Sequence, residues 1–143
     1  MAKSEKDPLL GTRIREYEIL EIIGRGGMGA VYKARHVLLE DERAIKVIHT
    51  RLASDQEFTN RFIREARILT RLRHPNLVQL LEFGMLDDDV FFMVMEYLSG
   101  KSVLSRIEQE SRIPSDQSIK IIKQAAAGLN TAHLRGIVHR DIS

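Results

Sequence analysis

Ile23-Gly24-Arg25-Gly26-Gly27-Met28-Gly29-Ala30-Val31 decides how this chain folds. Gly24, Gly26 and Gly29 stand at G-x-G-x-x-G spacing, with apolar sequence on both sides. Glycine has no Cβ, so backbone N–H groups at this spacing can approach a polyphosphate closely. Dinucleotide-binding folds carry the same pattern, but there a helix opens straight after it, with its N-terminus on the pyrophosphate. Here the chain continues Ala30-Val31-Tyr32-Lys33-Ala34-Arg35-His36, and Val31 and Tyr32 favour a strand. On the other side, Tyr17 to Ile23 alternates as a half-buried strand does. Strand, glycine turn, strand is the local arrangement, and it argues against a dinucleotide-dependent oxidoreductase.

Composition sets the outer limits. The chain has 143 residues, enough for a sizeable core, with 43% hydrophobic and 29% charged residues, as in ordinary globular proteins. Its 22 basic and 20 acidic residues give a net charge of +2, too balanced to point to nucleic acid. There is no cysteine, which excludes disulfides, thiolate metal sites and cysteine nucleophiles. Met1 to Glu16 is polar apart from Leu9-Leu10, lacks the apolar core of a signal peptide and reads as a mobile lead-in. The longest apolar run, Val90 to Met95, is too short to span a bilayer. A soluble, cytoplasmic chain with no membrane segment is expected.

Working outward from the glycine turn, Arg43 to His49 is a third strand, with Ala44, Lys46 and Ile48 on one face by the period of two. Ser54-Asp55-Gln56-Glu57 has the form of a capping box, and Phe58, Phe62, Glu65, Leu69 and Leu72 draw one stripe along the helix it opens. Arg61, Arg64, Arg67 and Arg71 lie off that stripe as a solvated face, and His74-Pro75 ends the helix. Leu77 to Phe83 and Val90 to Met95 are two more strands. Asp87-Asp88-Asp89 between them reads as a hairpin tip, since no calcium-loop spacing supports it. Five antiparallel strands and one helix make a small α+β lobe. Beyond Ser99-Gly100 the pattern turns helical: Ser102 to Ser111, then Pro114 to about Arg135, with Ile119, Ile122, Ala126, Leu129 and His133 as its stripe and Gly136 as the stop.

Lys46 stands in an apolar strand and Glu65 on an apolar stripe. Either charge buried alone is costly, so the two are expected to pair across the lobe. His133 and His139 have no further ligand-type residues at suitable spacing, and no metal site is expected.

At this point a resemblance becomes specific. IGRGGMGAVYKA (23–34), AIKV (44–47), REA (64–66), HPN (74–76), VMEYLSG (94–100) and HRDIS (139–143) resemble, in order and spacing, the N-terminal half of a eukaryotic-like protein kinase of the bacterial serine/threonine type. The resemblance implies a flexible segment 1–16, a kinase small lobe over 17–98, and a hinge exit with the start of a truncated large lobe over 99–143. It implies ATP and a protein substrate as partners. Gly24, Gly26 and Gly29 would lie over the phosphates, with Ile23, Val31 and Ala44 around adenine. Lys46 would contact the α- and β-phosphates and pair with Glu65. Met95 would be the gatekeeper, and the backbones of Glu96 and Leu98 would meet the adenine edge. Asp141 would be the catalytic-loop aspartate that accepts the substrate hydroxyl's proton, beside a structural His139 and a regulatory Arg140.

Two departures matter. The family holds Mg2+ with an asparagine and an Asp-Phe-Gly motif after the catalytic aspartate, and this sequence reaches only Ser143. The chain by itself is therefore expected to be truncated and inactive, with its long helix exposed and prone to self-association. Ser143 also replaces the lysine usual in serine/threonine kinases at that position. The alternative is a non-catalytic nucleotide- or partner-binding module. Many bacterial relatives carry a membrane span after the kinase domain, so the resemblance allows a membrane-anchored parent.

Overall fold

In the computed structural model the described residues are 7–26, 29–49, 56–87 and 90–139. The glycine turn closes a hairpin: β2 (Tyr17–Gly26) runs antiparallel to β3 (Gly29–His36), with Gly26 opposite Gly29 and Gly24 opposite Val31. The sheet continues through β4 (Glu42–His49) and β6 (Val90–Glu96) to β5 (Leu80–Asp87). Every neighbouring pair is antiparallel, and with the short strand β1 (Arg13–Ile14) at one edge the order is β1-β2-β3-β4-β6-β5. The five expected strands are all present. The sixth is β1 (Arg13–Ile14), a short edge strand on β2.

That edge strand corrects the expectation of a mobile lead-in for residues 7–16. Leu9 and Leu10 pack against the core, Ile14 is 2% exposed, and Asp7 is buried. The segment's polar composition concealed this, because one apolar pair and one paired carboxylate do the burying. The strand expected from Leu77 starts later, at Leu80, since Asn76 N–H donates to His74 Nδ1 (3.0 Å) and Leu77 N–H to the His74 carbonyl (3.1 Å) in a turn. Ser54, Asp55, Asp88 and Asp89 lie outside the described residues, and with them the first half of the capping box and two of the three aspartates of the hairpin tip.

The register sorts the sheet into two faces, because directly opposed residues share a side. On one face Ala30, Tyr32, Ala34, Ile45, Val47, Phe92 and Val94 join Ile14, Tyr17 and Ile19 in the main core, roofed by residues 9–14. The other face carries Val31 opposite Lys46, Lys46 opposite Met93, and Ala44 opposite Met95. Helix α1 (Gln56–Leu69) covers one end of that second face. There Phe62 meets Phe83 and Phe91 edge-on, with ring centroids 5.6 and 5.4 Å away. Ala66, at 1% exposure, is the most deeply buried described residue of the helix, one step from the expected Glu65. Arg61, Arg64, Arg67 and Arg71 are exposed, as their place off the stripe predicts.

Helix α2 (Val103–Glu110) starts where Ser102 Oγ accepts the Ser105 N–H (3.0 Å) and stops at Ser111, which adopts a φ of 64°. Helix α3 (Ser115–His133) enters after Pro114 and leaves through Gly136, whose φ of +77° allows its N–H to reach the His133 carbonyl. Helix α3 buries Gly128 and Ala132 against the rest of the chain. At Gly128 the approach is close: a Cβ there would stand 2.9 Å from the Asn76 carbonyl oxygen.

Candidate functional site

The uncovered end of the second sheet face is a cleft of about 360 Å³, lined by Gly24, Arg25, Gly26, Gly29, Ala30, Val31 and Lys46. Strand alternation puts Val31 and Lys46 side by side there, and the hairpin turn supplies the bare backbone rim. Ala44, buried, and Met95, half-buried, lie one residue pair further along the same face. Ile23 is 51% exposed at the rim, and Leu98 is exposed on the chain leaving β6.

The three glycines differ in what the protein requires of them. A Cβ on Gly29 would be driven into the Val47 carbonyl oxygen, so the packing of β3 on β4 demands glycine there. Among the described residues a Cβ on Gly24 or Gly26 would meet no atom within 4 Å, and neither has a positive φ. No packing among the described residues calls for glycine at those two positions. A backbone left bare toward the cleft, facing the ammonium of Lys46, fits an anionic phosphate chain.

Lys46 is exposed, and Glu65 on α1 is half-buried. The exposure of Lys46 corrects the expectation of a lysine buried in its strand. The desolvation argument assumed a buried lysine. On the cleft side of β4 the ammonium stays in water and needs no buried counter-charge. Asp141 and Arg140 lie outside the described residues, while His139 is described and exposed.

At the exit of the sheet a clasp fixes the chain. Glu96 N–H donates to the Gln79 carbonyl (3.2 Å), and Gln79 N–H donates to Glu96 Oε1 (2.9 Å). The backbone of Glu96 therefore has only its carbonyl to offer a ligand. Lys33 adds support: its ammonium pairs with Glu42 (2.7 Å) and lies 4.7 Å from the ring centre of Tyr97.

Sequence reasoning passed over a second cluster beside the cleft. Arg25, between the first two glycines, donates to Asp7 Oδ2 (2.8 Å), and Tyr32 Oη donates to the same oxygen (3.0 Å). The Leu9 N–H, followed by Tyr32 and Arg25, holds the Asp7 carboxyl below its ordinary range against the opposing effect of burial. Burial, reinforced by Asp7, pushes the Tyr32 hydroxyl up to about 12. The only available signal was Asp7-Pro8, a turn-forming pair, and spacing alone does not connect it to residue 25.

Residues 17–143 match the protein kinase domain family. The chain is 39% identical over 135 residues to the serine/threonine-protein kinase PrkC of Bacillus subtilis, covering 94% of this chain and 21% of PrkC. It is 34% identical over 143 residues to the serine/threonine-protein kinase pkn3 of Myxococcus xanthus, covering 99% of this chain and 26% of pkn3. Among solved structures it resembles the PknI kinase domain of Mycobacterium tuberculosis with a TM-score of 0.81 at 29% identity, over 94% of this chain and 55% of that one. The chain thus spans about a quarter or less of these curated relatives and about half of the solved kinase domain.

Proposed function

The chain belongs to the protein kinase family, a family of transferases, and on that premise we propose that residues 17–98 are the ATP-binding lobe of a serine/threonine kinase and residues 99–143 the opening of its second lobe. The observation that carries this reading is the cleft that joins bare glycine backbone, Val31 and the Lys46 ammonium. Gly24 and Gly26 let the ATP phosphates lie against main-chain N–H groups. Lys46 neutralises the α- and β-phosphates. Ile23, Val31 and Ala44 enclose adenine, Met95 limits the depth of the pocket, and the Glu96 carbonyl and Leu98 N–H read the base edge.

The reaction transfers the γ-phosphoryl group to a protein hydroxyl. The hydroxyl oxygen forms the new P–O bond as the bond to the ADP oxygen breaks, and Asp141 takes the hydroxyl proton. Glu65, held on α1, is the counter-charge for Lys46 in this reading. Magnesium, when bound, offsets charge on the phosphates. The family's asparagine and Asp-Phe-Gly ligands for it have no counterpart among residues 1–143, so no step of this chain is assigned to the metal. The compartment consistent with an ATP-dependent enzyme is the cytoplasm, and no helix among the described residues is long and apolar enough to cross a membrane.

Calorimetric titration of the 143-residue chain with ATP tests the site. Binding is expected to be weak, nearly independent of magnesium, and about tenfold weaker still in Lys46→Met, which loses a charge-assisted contact. Tight, magnesium-dependent binding, or an unchanged affinity in Lys46→Met, would sink the proposal.

The same chain is expected to self-associate. Ile122 (66% exposed), Leu104 (66%) and Ile119 (53%) sit on α2 and α3 beside an apolar groove of about 400 Å³ between these helices. Sedimentation at micromolar concentration should show dimers or larger species. A clean monomer would refute this.

A further inference from the structure

One buried carboxylate has no part in phosphoryl transfer. The Asp7 side chain is 4% exposed and accepts three hydrogen bonds: Leu9 N–H on Oδ1 (3.0 Å), and Tyr32 Oη (3.0 Å) and Arg25 Nη2 (2.8 Å) on Oδ2. Its segment is fastened along β2 at two points. Gly11 N–H donates to the Ile19 carbonyl (2.9 Å) and Ile19 N–H to the Thr12 carbonyl (3.0 Å), near the strand's start. Asp7 then reaches Arg25 near the strand's end. Leu10 N–H on the Asp7 carbonyl (3.1 Å) and Thr12 N–H on the Leu9 carbonyl (3.0 Å) stiffen the stretch between.

Arg25 belongs to the wall of the cleft, yet its guanidinium is drawn to the opposite side of the sheet. We propose that Asp7 is a positioning residue for the glycine turn: residues 7–12 form a strap whose carboxylate holds Arg25 and so fixes how far the β2 end of the turn stands open over the cleft. Tyr32 anchors the same carboxylate to β3, so both strands of the hairpin are tied to one point. The strap rests on contacts alone, and its consequence for nucleotide binding rests on the function proposed above.

Amide hydrogen exchange on the ligand-free 143-residue chain reads the strap directly. Asp7→Asn and Arg25→Ala are each expected to speed exchange at Gly24, Arg25, Gly26 and Gly29 by roughly threefold, a modest effect because Arg25 is largely solvated. The double variant should go no further than Asp7→Asn alone, because the Arg25 contact is one of the three that the Asp7 substitution already perturbs. Amides of Ile45 and Val94 in the core strands should keep their protection, which a merely structural role for Asp7 would not allow. Arg25→Ala alters a side chain that is itself 65% exposed, so the test survives if Asp7→Asn does not fold. In parallel, ATP affinity should fall by roughly threefold in both single variants. Unchanged exchange at the turn, additive effects in the double variant, or a rise spread through the core strands would each overturn the strap. Failure of the wild-type chain to bind ATP would overturn the nucleotide reading and leave the exchange result standing by itself.

Discussion

Gly29→Ala is expected to destabilise the chain by more than about 2 kcal/mol, whereas Gly24→Ala and Gly26→Ala leave its stability within about 0.5 kcal/mol. A methyl at Gly29 runs into the Val47 carbonyl, a backbone atom inside the β3–β4 ladder that cannot swing aside as a side chain would. Relief requires separating the strands at the pair Gly29–Ile48, which breaks ladder bonds beside Val47 and Ile48, both buried. At Gly24 and Gly26 the methyl enters open space, and the stiffer unfolded chain even compensates slightly. The two latter variants are expected instead to lose ATP affinity, since the methyl occupies the side from which phosphates approach. Urea midpoints together with ATP titrations separate the cases. Equal stability losses at all three positions would mean that the turn's glycines serve the fold only.

The second large effect concerns chemistry. Residues 1–143 by themselves are expected to transfer no phosphate to a generic protein substrate, because charge developing on the transferred group has no metal to meet it. Extended by a second lobe that supplies the asparagine and Asp-Phe-Gly ligands, the same residues should become active. In that extended protein Lys46→Met is expected to lower turnover by about 10²- to 10³-fold, the scale for removing one preorganised charge-stabilising group. Time-dependent phosphorylation by the 143-residue chain, abolished by Lys46→Met, would refute the requirement for the missing ligands. An extended protein indifferent to Lys46→Met would refute the role given to the lysine.

Much of this was readable in residue order, for local reasons. Alternation around the glycine turn announced β2 and β3, and the serines at 102 and 111 marked both ends of α2 through caps that depend only on neighbours. The site was legible as far as strand periodicity reaches: Val31, Ala44 and Lys46 share a face because side chains alternate. What escaped depends on tertiary placement. Lys46 looked buried because its neighbours in sequence are apolar, yet those neighbours face the other side of the sheet. Ala66 is the deeply buried residue of α1, although Glu65 lay on the stripe. The strap of residues 7–12 escaped because its central contact links a carboxylate to an arginine on another strand, and no periodicity encodes that.

The bare Cα of Gly128 has a mechanical meaning. Helix α3 approaches the turn at Asn76 and Leu77 through backbone, with a Leu77 methyl 3.1 Å from where a Cβ would stand. With no Cβ to hold them apart, helix and turn meet at the shortest distance their backbones allow, and any larger residue at position 128 would set that spacing wider. Gln79, a short step along the chain from Leu77, is clasped to Glu96, where the chain leaves the sheet. A side chain at position 128 would push α3 off the same short stretch, residues 76–79, that is clasped to Glu96 where the chain leaves the sheet.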